Sequence, residues 1–166
     1  MEIMEALRGR QSVKSYLPAS VEPEKMERVL EVGRLAPSAF NHQYRRFVVV
    51  TDPAVKKMIR EKAGTRPMIE QAPVVIVLCA TEENEFVMPY YPIDPALCGA
   101  YMVLEAYELG LGACWLGAFD AEAVKDILSV PEEAWVVTML PLGYLDGTQE
   151  RKSRKALNGI VGRDRY

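Results

Sequence analysis

The sequence predicts a single domain of the α+β class, and three observations support that prediction. The chain has 166 residues, about the length of one domain. Stretches with an apolar period near 3.6 residues alternate with short β-branched stretches, which indicates helices and strands in turn. A continuous apolar run, Val74–Ala80, is typical of a strand that is buried on both faces. We therefore expect one sheet with helices packed against it.

Local signals define the elements in chain order. A short helix is predicted at residues 3–7, and after a linker at 18–23 an amphipathic helix runs from Pro23 to just before Pro37. The remaining predicted elements are a strand at 47–51, a helix capped by Asp52 up to about 63, a short helix at 68–72, the strand at 74–80, a surface loop at 82–91, a helix capped by Asp94, a short strand at 113–116, a helix capped by Asp120 up to about 128, and a strand at 136–142. Residues 97–109 are apolar around nearly the whole helix, which is typical of a central helix or of one that lies partly in a subunit interface.

Charge is distributed unevenly along the chain. Residues 1–66 carry 13 Lys/Arg and 8 Asp/Glu, hence +5, whereas residues 67–150 carry one basic residue and 14 acidic ones, hence −13. Residues 151–166 carry six basic residues and one acidic one, hence +5, and the total is −3. An acidic total disfavours general nucleic-acid binding, although the two basic ends could meet on one small anion.

Residue counts exclude further classes. The three cysteines, Cys79, Cys98 and Cys114, include no Cys-x-x-Cys pair, which argues against a disulfide framework or a zinc finger and for a reducing compartment. His42 is the single histidine, so multi-histidine metal sites are excluded and we expect no metal. No apolar run approaches the roughly 18 residues of a membrane span, and the first residues do not resemble a signal peptide. We expect a cytoplasmic protein with neither a membrane nor a nucleic acid as partner.

Two basic clusters lie near the ends of the chain. Arginine side chains bind phosphate oxygens bidentately, and a neighbouring hydroxyl adds a donor, so either cluster could bind an anion. The alternative is a solvated basic turn at the first cluster and a solvated tail at the second. The first comprises Arg8, Arg10, Gln11, Ser12 and Lys14, and the second comprises residues 151–155.

Two further segments could bind a ligand through amides. Residues 36–43 end in Asn41, His42 and Gln43. The amide side chains of Asn41 and Gln43 suit the edge of a heterocycle, although a polar loop with local hydrogen bonds is the alternative. Residues 110–117 form a turn of small residues after a buried helix, which would let backbone amides approach a flat ligand. This turn is not a dinucleotide fingerprint, because Trp115 stands where glycine is required, and it lacks the Lys-Ser/Thr of a P-loop.

Five motifs follow one another along the chain. They are Arg10-Gln11-Ser12-Val13-Lys14, Ala36-Pro37-Ser38 with Asn41 and Gln43, residues 110–117, Pro141-Leu142-Gly143-Tyr144, and Lys152-Ser153-Arg154. In this order they resemble the motifs of the nitroreductase family of FMN-dependent, usually homodimeric NAD(P)H oxidoreductases. The resemblance covers nearly the whole chain and implies a three-layer α/β/α fold, with a mostly antiparallel or mixed sheet of four to five strands in an intertwined homodimer.

The resemblance also implies roles for particular residues. The FMN phosphate would be bound by Arg8 or Arg10 and by Ser12, together with Lys152 and Arg154, while Gln11 would also contact the cofactor and Lys14 would lie near the pyrimidine end of the flavin. Pro37, Ser38 and Asn41 would come from the neighbouring subunit, since the family's FMN sites lie at the dimer interface, and the Gln43 amide would lie near the pocket. Trp115, Leu116 and Gly117 would pack behind the ring system, with the Gly117 N–H donating to flavin N5.

The implied activity is a ping-pong reaction. NAD(P)H would reduce the flavin, and a small oxidised acceptor such as a nitroaromatic or a quinone would then reoxidise it, with no side-chain acid or base required. Thr65-Arg66-Pro67 stands where family members often carry a polar or basic side chain that reaches the flavin, and the loop from Phe86 to Tyr91 stands where substrate-shaping residues vary. The alternatives are a dehalogenase-like, enoate-reducing or flavin-consuming protein of the same fold, a flavin carrier without steady turnover, and an anion- or nucleic-acid-binding module.

Overall fold

The central layer is an antiparallel sheet of four strands in a computed structural model that describes residues 2–81, 92–147 and 152–166. The strands are β1 (Arg45–Val50), β2 (Val74–Ala80), β3 (Gly112–Ala113) and β4 (Trp135–Gly143), and their order in the sheet is β1-β2-β4-β3. β2 therefore pairs with neighbours on both sides, which agrees with its continuous apolar sequence. The predicted loop at 82–91, with Phe86, Met88, Tyr90 and Tyr91, lies outside the described residues.

Two helical layers cover the two faces of this sheet. Alternate residues of β2 point to opposite faces, so Val75 and Val77 pack with Ile59 and Val124 while Ile76 and Leu78 pack with Val29 and Met102. The helices are α1 (Ile3–Gly9), α2 (Pro23–Leu35), α3 (Pro53–Lys62), α4 (Met68–Gln71), α5 (Ile93–Glu108) and α6 (Ala121–Leu128). Since α2 and α5 lie on one face and α3, α4 and α6 on the other, the three-layer α+β prediction is confirmed.

Caps and glycines set several helix ends as the sequence indicates. The Asp52 carboxylate accepts hydrogen bonds from the amides of Ala54 and Val55, and the Asp120 carboxylate accepts one from Ala123. α5 ends before Gly110, whose φ of 75° is a left-handed conformation that glycine adopts without a steric penalty.

The observed start of α5 differs from the start that the sequence predicts at Asp94. The Asp94-Pro95 pair predicts a cap like that of Asp52-Pro53, but α5 already begins at Ile93 and Asp94 is helical. Its carboxylate instead accepts a hydrogen bond from the amide of Ala39, far away in sequence. The helix start was therefore predicted wrongly, because a local cap pattern does not reveal a tertiary partner for the same carboxylate.

The buried strand generates a stability prediction. Ile76→Ala removes a fully buried side chain from the face of β2 that packs on α2 and α5. We expect the free energy of unfolding to fall by about 2–5 kcal/mol in urea denaturation, because the deletion loses burial and leaves a cavity. Met58→Ala on α3, where the side chain is 38% exposed, is the control and should cost less than about 1 kcal/mol. Equal losses in both variants would contradict this description of the core.

Candidate active site

An N-terminal segment, residues 12–17, is hydrogen-bonded along the outer edge of the sheet. The Val13 amide donates to the carbonyl of Ala113 in β3 at 3.1 Å, and Ser12 forms a parallel bridge with the same residue. The Tyr16 hydroxyl lies 3.1 Å from the Val13 carbonyl and 2.9 Å from the Pro141 carbonyl, to which it donates. Burial raises the pKa of Tyr16 well above its usual value, so the hydroxyl stays protonated. The predicted basic cluster is thereby fixed beside residues 112–117.

Three cations act together at this edge. Burial raises the pKa of the Cys114 thiol, and the positive charges of Lys14, Arg66 and Arg10 lower it by smaller amounts. These side chains thus share one neighbourhood although they come from two distant parts of the chain. Of the three, Arg66 was the hardest to predict as a site residue from the sequence, because it is a single basic residue in the turn before α4.

Buried polar atoms without partners lie beside this cluster. Arg10 Nε and Gln11 Oε1 are both buried and have no hydrogen-bond partner among the described residues. Both residues line a cavity of about 140 Å³, which Tyr107, Gly110 and Gly112 also border. Unpaired buried polar groups carry a desolvation cost that a polar ligand would relieve. The Arg10 N–H suits an anionic group, and the Gln11 oxygen suits an N–H donor of a ligand.

Residues 114–117 extend the edge of the sheet as an irregular strand. The amides of Cys114 and Leu116 donate to Pro141 and Met139 of β4 at 3.2 and 3.0 Å. Because successive amides of an extended chain point in opposite directions, those of Trp115 and Gly117 point away from β4. The Leu116 side chain packs in the core, so only its backbone belongs to the surface of the site.

The Trp115 side chain packs against α5 at Gly99. The side chain is 41% exposed, and a Cβ on Gly99 would lie 2.7 Å from its Cζ3 atom. Glycine at position 99 therefore lets the indole lie directly on the helix. The result is an exposed aromatic surface next to two backbone amides.

The polar loop at 36–44 adopts a strained shape at the other edge of the sheet. A 3₁₀ turn at Ala39–Asn41 is followed by Gln43, whose amide donates to Ser38 Oγ at 3.1 Å and whose side chain donates to the Asn41 carbonyl at 3.2 Å. These are the local hydrogen bonds that the polar-loop alternative predicts. The His42 ring stacks on Tyr44 with centroids 5.0 Å apart, which agrees with a loop residue rather than a general base.

The structure brings some predicted site residues together and separates others. Pro37, Ser38, Asn41 and Gln43 precede β1, whereas Arg10–Lys14 lie along β3 at the opposite edge of the sheet. Three interstrand spacings of about 4.8 Å, or roughly 14 Å in all, lie between those edges. The loop and the basic cluster of one chain therefore do not form one pocket.

The C-terminal basic residues lie on an exposed segment. Arg154 donates only to the nearby carbonyls of Lys152 and Ser153 among its described hydrogen bonds, and residues 152–166 are all exposed. The chain leaves β4 beside the N-terminal segment, because the Asp146 amide donates to the Ser15 carbonyl at 3.1 Å. Arg8 lies in the last turn of α1 and is likewise exposed.

The described ranges contain neither a metal cluster nor a membrane-spanning helix. Within residues 2–81, 92–147 and 152–166, no three His, Cys, Asp or Glu side chains are arranged to hold a metal ion. Of the helices found there, none is long and apolar enough to cross a bilayer. At one edge of the sheet, basic side chains, the exposed indole of Trp115 and backbone amides lie close together, and this edge of an α+β protein is the candidate site.

Comparisons with known proteins identify the family. The nitroreductase family profile matches residues 7–65 and 58–144. A Thermus thermophilus protein named NADH dehydrogenase is 31% identical over 169 residues, covering 81% of this chain and 82% of the relative. A Bacillus subtilis protein named as an FMN reductase of the NAD(P)H type is 25% identical over 185 residues, covering 99% of this chain and 74% of that protein. The chain belongs to the nitroreductase family.

Solved structures agree with this fold. Nitroreductase A from Vibrio parahaemolyticus superimposes with a TM-score of 0.93 at 22% identity, covering all of this chain and 78% of that one. An FMN-dependent nitroreductase from Clostridium difficile gives 0.85 at 24% identity, covering 98% and 99% of the two chains. At these identities the likeness establishes the fold.

The cysteines generate a prediction about reactivity. Burial raises the pKa of Cys79 to about 11, and it also raises the pKa values of Cys98 and Cys114. At pH 8 the native protein should therefore react only slowly with Ellman's reagent, since the thiolate is the reactive form. All three thiols should react promptly in guanidinium chloride. One thiol that reacts in the native protein as fast as free cysteine would contradict the prediction.

Proposed function

We propose that this protein is an FMN-dependent NAD(P)H oxidoreductase. The observation that carries the proposal is that the segment with Arg10 and Lys14 is hydrogen-bonded through Val13 to Ala113, next to Trp115 and Gly117. The buried, unpaired Arg10 Nε of this segment fits the demand of a bound phosphate for charged donors. Membership of the nitroreductase family and the names of the relatives support the same cofactor.

The phosphate end of the site would draw on both ends of the chain. Arg8 or Arg10, with Gln11 and Ser12, would supply donors from the N-terminal segment, and Lys152 and Arg154 would supply charge from the tail. A phosphate dianion is held best by several charged donors, and neither cluster alone provides as many. The Ser15–Asp146 contact supports this arrangement, because it starts the tail beside the N-terminal segment.

At the ring end of the site, one charged side chain and one backbone amide would contact the flavin. Lys14 would stabilise negative charge at the pyrimidine end, and the Gly117 amide would donate to N5. FMN in this position would supply the redox chemistry, accepting hydride from NAD(P)H and passing two electrons to an oxidised acceptor, such as a nitroaromatic or a quinone, in a ping-pong sequence. The indole of Trp115, resting on Gly99, would back the ring and exclude water from that face.

A homodimer would complete the pocket. The loop with Pro37, Ser38, Asn41 and Gln43 lies at the opposite edge of the sheet from the basic cluster of the same chain. A second copy can carry its loop to this cluster, and the exposed apolar side chains of Ile3, Met4 and Leu7 on α1 offer surface to bury in such a contact.

We expect a dimer in sedimentation velocity at micromolar concentration, and a monomer there would contradict the shared pocket.

Flavin reduction is the first prediction of this proposal. The purified protein should be yellow or should bind added FMN, and NADH or NADPH should bleach the flavin absorbance under anaerobic conditions. A suitable acceptor should then restore the absorbance. Protein that refuses FMN would contradict the proposal, whereas bound FMN that neither nucleotide reduces would favour the flavin carrier.

The tail charges give a second prediction. Lys152→Ala combined with Arg154→Ala should weaken FMN affinity by about tenfold or more, because the phosphate loses two charged donors. Affinity is read from the quenching of FMN fluorescence at constant ionic strength. Arg163→Ala combined with Arg165→Ala removes the same charge from the same exposed segment and should leave affinity unchanged. Equal effects in the two double variants would show that the tail acts only through its net charge.

A further inference from the structure

The buried carboxylate of Asp94 binds a loop that is distant from it in the sequence. The residue lies in the first turn of α5 and is only 8% exposed, and its two carboxylate oxygens lie 3.2 and 3.1 Å from the amide nitrogen of Ala39. Charge-assisted hydrogen bonds of this kind are stronger than neutral ones, and burial leaves the carboxylate few competing donors. This contact ties the 3₁₀ turn Ala39–Asn41 to a long helix.

The tied loop would not hold its shape by itself. Phe40, Asn41 and Gln43 have φ values of 50°, 59° and 60°, the left-handed region that costs residues other than glycine on the order of 1 kcal/mol each. The Phe40 side chain is 76% exposed, so its own packing contributes little to the conformation. Strain of this kind persists only where surrounding contacts impose it.

A second charged residue holds the start of the same loop. Arg45 donates from Nη2 to the Arg34 carbonyl at 2.7 Å and from Nη1 to the Pro37 carbonyl at 3.4 Å. The Cys98 thiol, one helical turn after Asp94, donates to the Asp94 carbonyl at 3.2 Å. The loop is therefore held from its start by Arg45 and at its turn by Asp94.

We propose that Asp94 is a positioning residue of the FMN site. By binding the Ala39 amide to α5, it fixes the strained loop in the shape that presents Ser38, Asn41 and Gln43 to the cofactor. This inference rests on the proposed function, since the loop's contact with FMN is part of that proposal. The role is indirect, because the Asp94 carboxylate is occupied by the backbone amide.

The helix that carries Asp94 also supports the indole. Gly99 lies five residues further along α5, about 7.5 Å along the helix axis, and it is the residue on which Trp115 rests. One helix thus positions the Trp115 surface of its own chain's proposed site and the loop that this chain would contribute to the site of a second copy. Loss of the Asp94 contact releases the loop and leaves the support of Trp115 in place.

Three variants test this role. Asp94→Ala removes the acceptor, and Ala39→Pro removes the donor without touching Asp94. Proline suits position 39 because it is the first residue of a 3₁₀ turn and Ser38 before it is extended, with φ −141° and ψ 157°. Asp94→Asn restores one acceptor oxygen of the same shape and is the rescue variant.

We expect FMN affinity to fall about tenfold in both Asp94→Ala and Ala39→Pro. A loop that occupies its binding shape for only about a tenth of the time reduces the apparent affinity by that factor. Asp94→Asn should recover most of the affinity. In the FMN-free protein, the Gln43 amide, which donates to Ser38 Oγ, should exchange with deuterium faster in the two disruptive variants than in the wild type.

Asp52→Ala is the matched control. It also removes a carboxylate that accepts from backbone amides, but at the start of α3, after the opposite end of β1. It should lower the melting temperature while leaving FMN affinity and Gln43 exchange unchanged. Equal loss of FMN affinity in Asp52→Ala and Asp94→Ala would overturn the positioning role, because general destabilisation would explain both.

The remaining outcomes separate this inference from the proposed function. If the wild type binds FMN and the two disruptive variants bind it equally well, the positioning role is wrong and the proposed function stands. If the wild type does not bind FMN, the proposed function is wrong and the positioning role falls with it. Unchanged Gln43 exchange in Asp94→Ala would show that Asp94 does not hold the loop.

Discussion

The hydrogen bonds that attach residues 12–17 to the edge of the sheet are the constraint on which the rest of the site depends. Val13 pairs with Ala113, the Tyr16 hydroxyl bonds to the Pro141 carbonyl, and Leu17 donates to Tyr144 after β4. These bonds span about 100 residues of sequence or more, so each one closes a long loop. They bring the basic N-terminal segment to the strand at 114–117 and start the C-terminal segment beside it. Without them the two basic ends would be two solvated charge clusters.

The elements with local signals were predicted well, and those with long-range causes were not. The apolar run of β2 and the caps Asp52 and Asp120 lie where the sequence indicates, because burial on both faces and capping act within a few residues. Asp94 has the same pattern as Asp52 but serves a partner 55 residues away, which no local pattern encodes. The strand order β1-β2-β4-β3 likewise depends on packing over the whole chain, and it is this order that separates the loop at 36–43 from the basic cluster.

The sequence was enough to predict which segments form the candidate site, but not how they are arranged in space. Motifs in family order indicated the segments at 10–14 and 110–117, and the structure brings these two together. Arg66 joins them through the turn before α4, where a single basic residue gives no pattern. The first basic segment is fixed at the edge of the sheet, and the chain that leads to the last one leaves β4 at Asp146 beside Ser15, so the two basic ends of the sequence start from one side of the molecule.

The side chains at this edge are poorly suited to acid–base or nucleophilic chemistry. The lone histidine stacks on Tyr44 in a different loop, and burial raises the pKa of the Cys114 thiol despite three nearby cations. What the edge does offer is fixed positive charge, an indole held on α5 and amides directed away from β4. At Gly117 the nearest atom to an added Cβ would be Trp115 Nε1 at 3.8 Å, so glycine there is not required by packing. The open space beside Gly117 leaves its backbone accessible to a ligand, and this favours a role in which the backbone itself meets a cofactor.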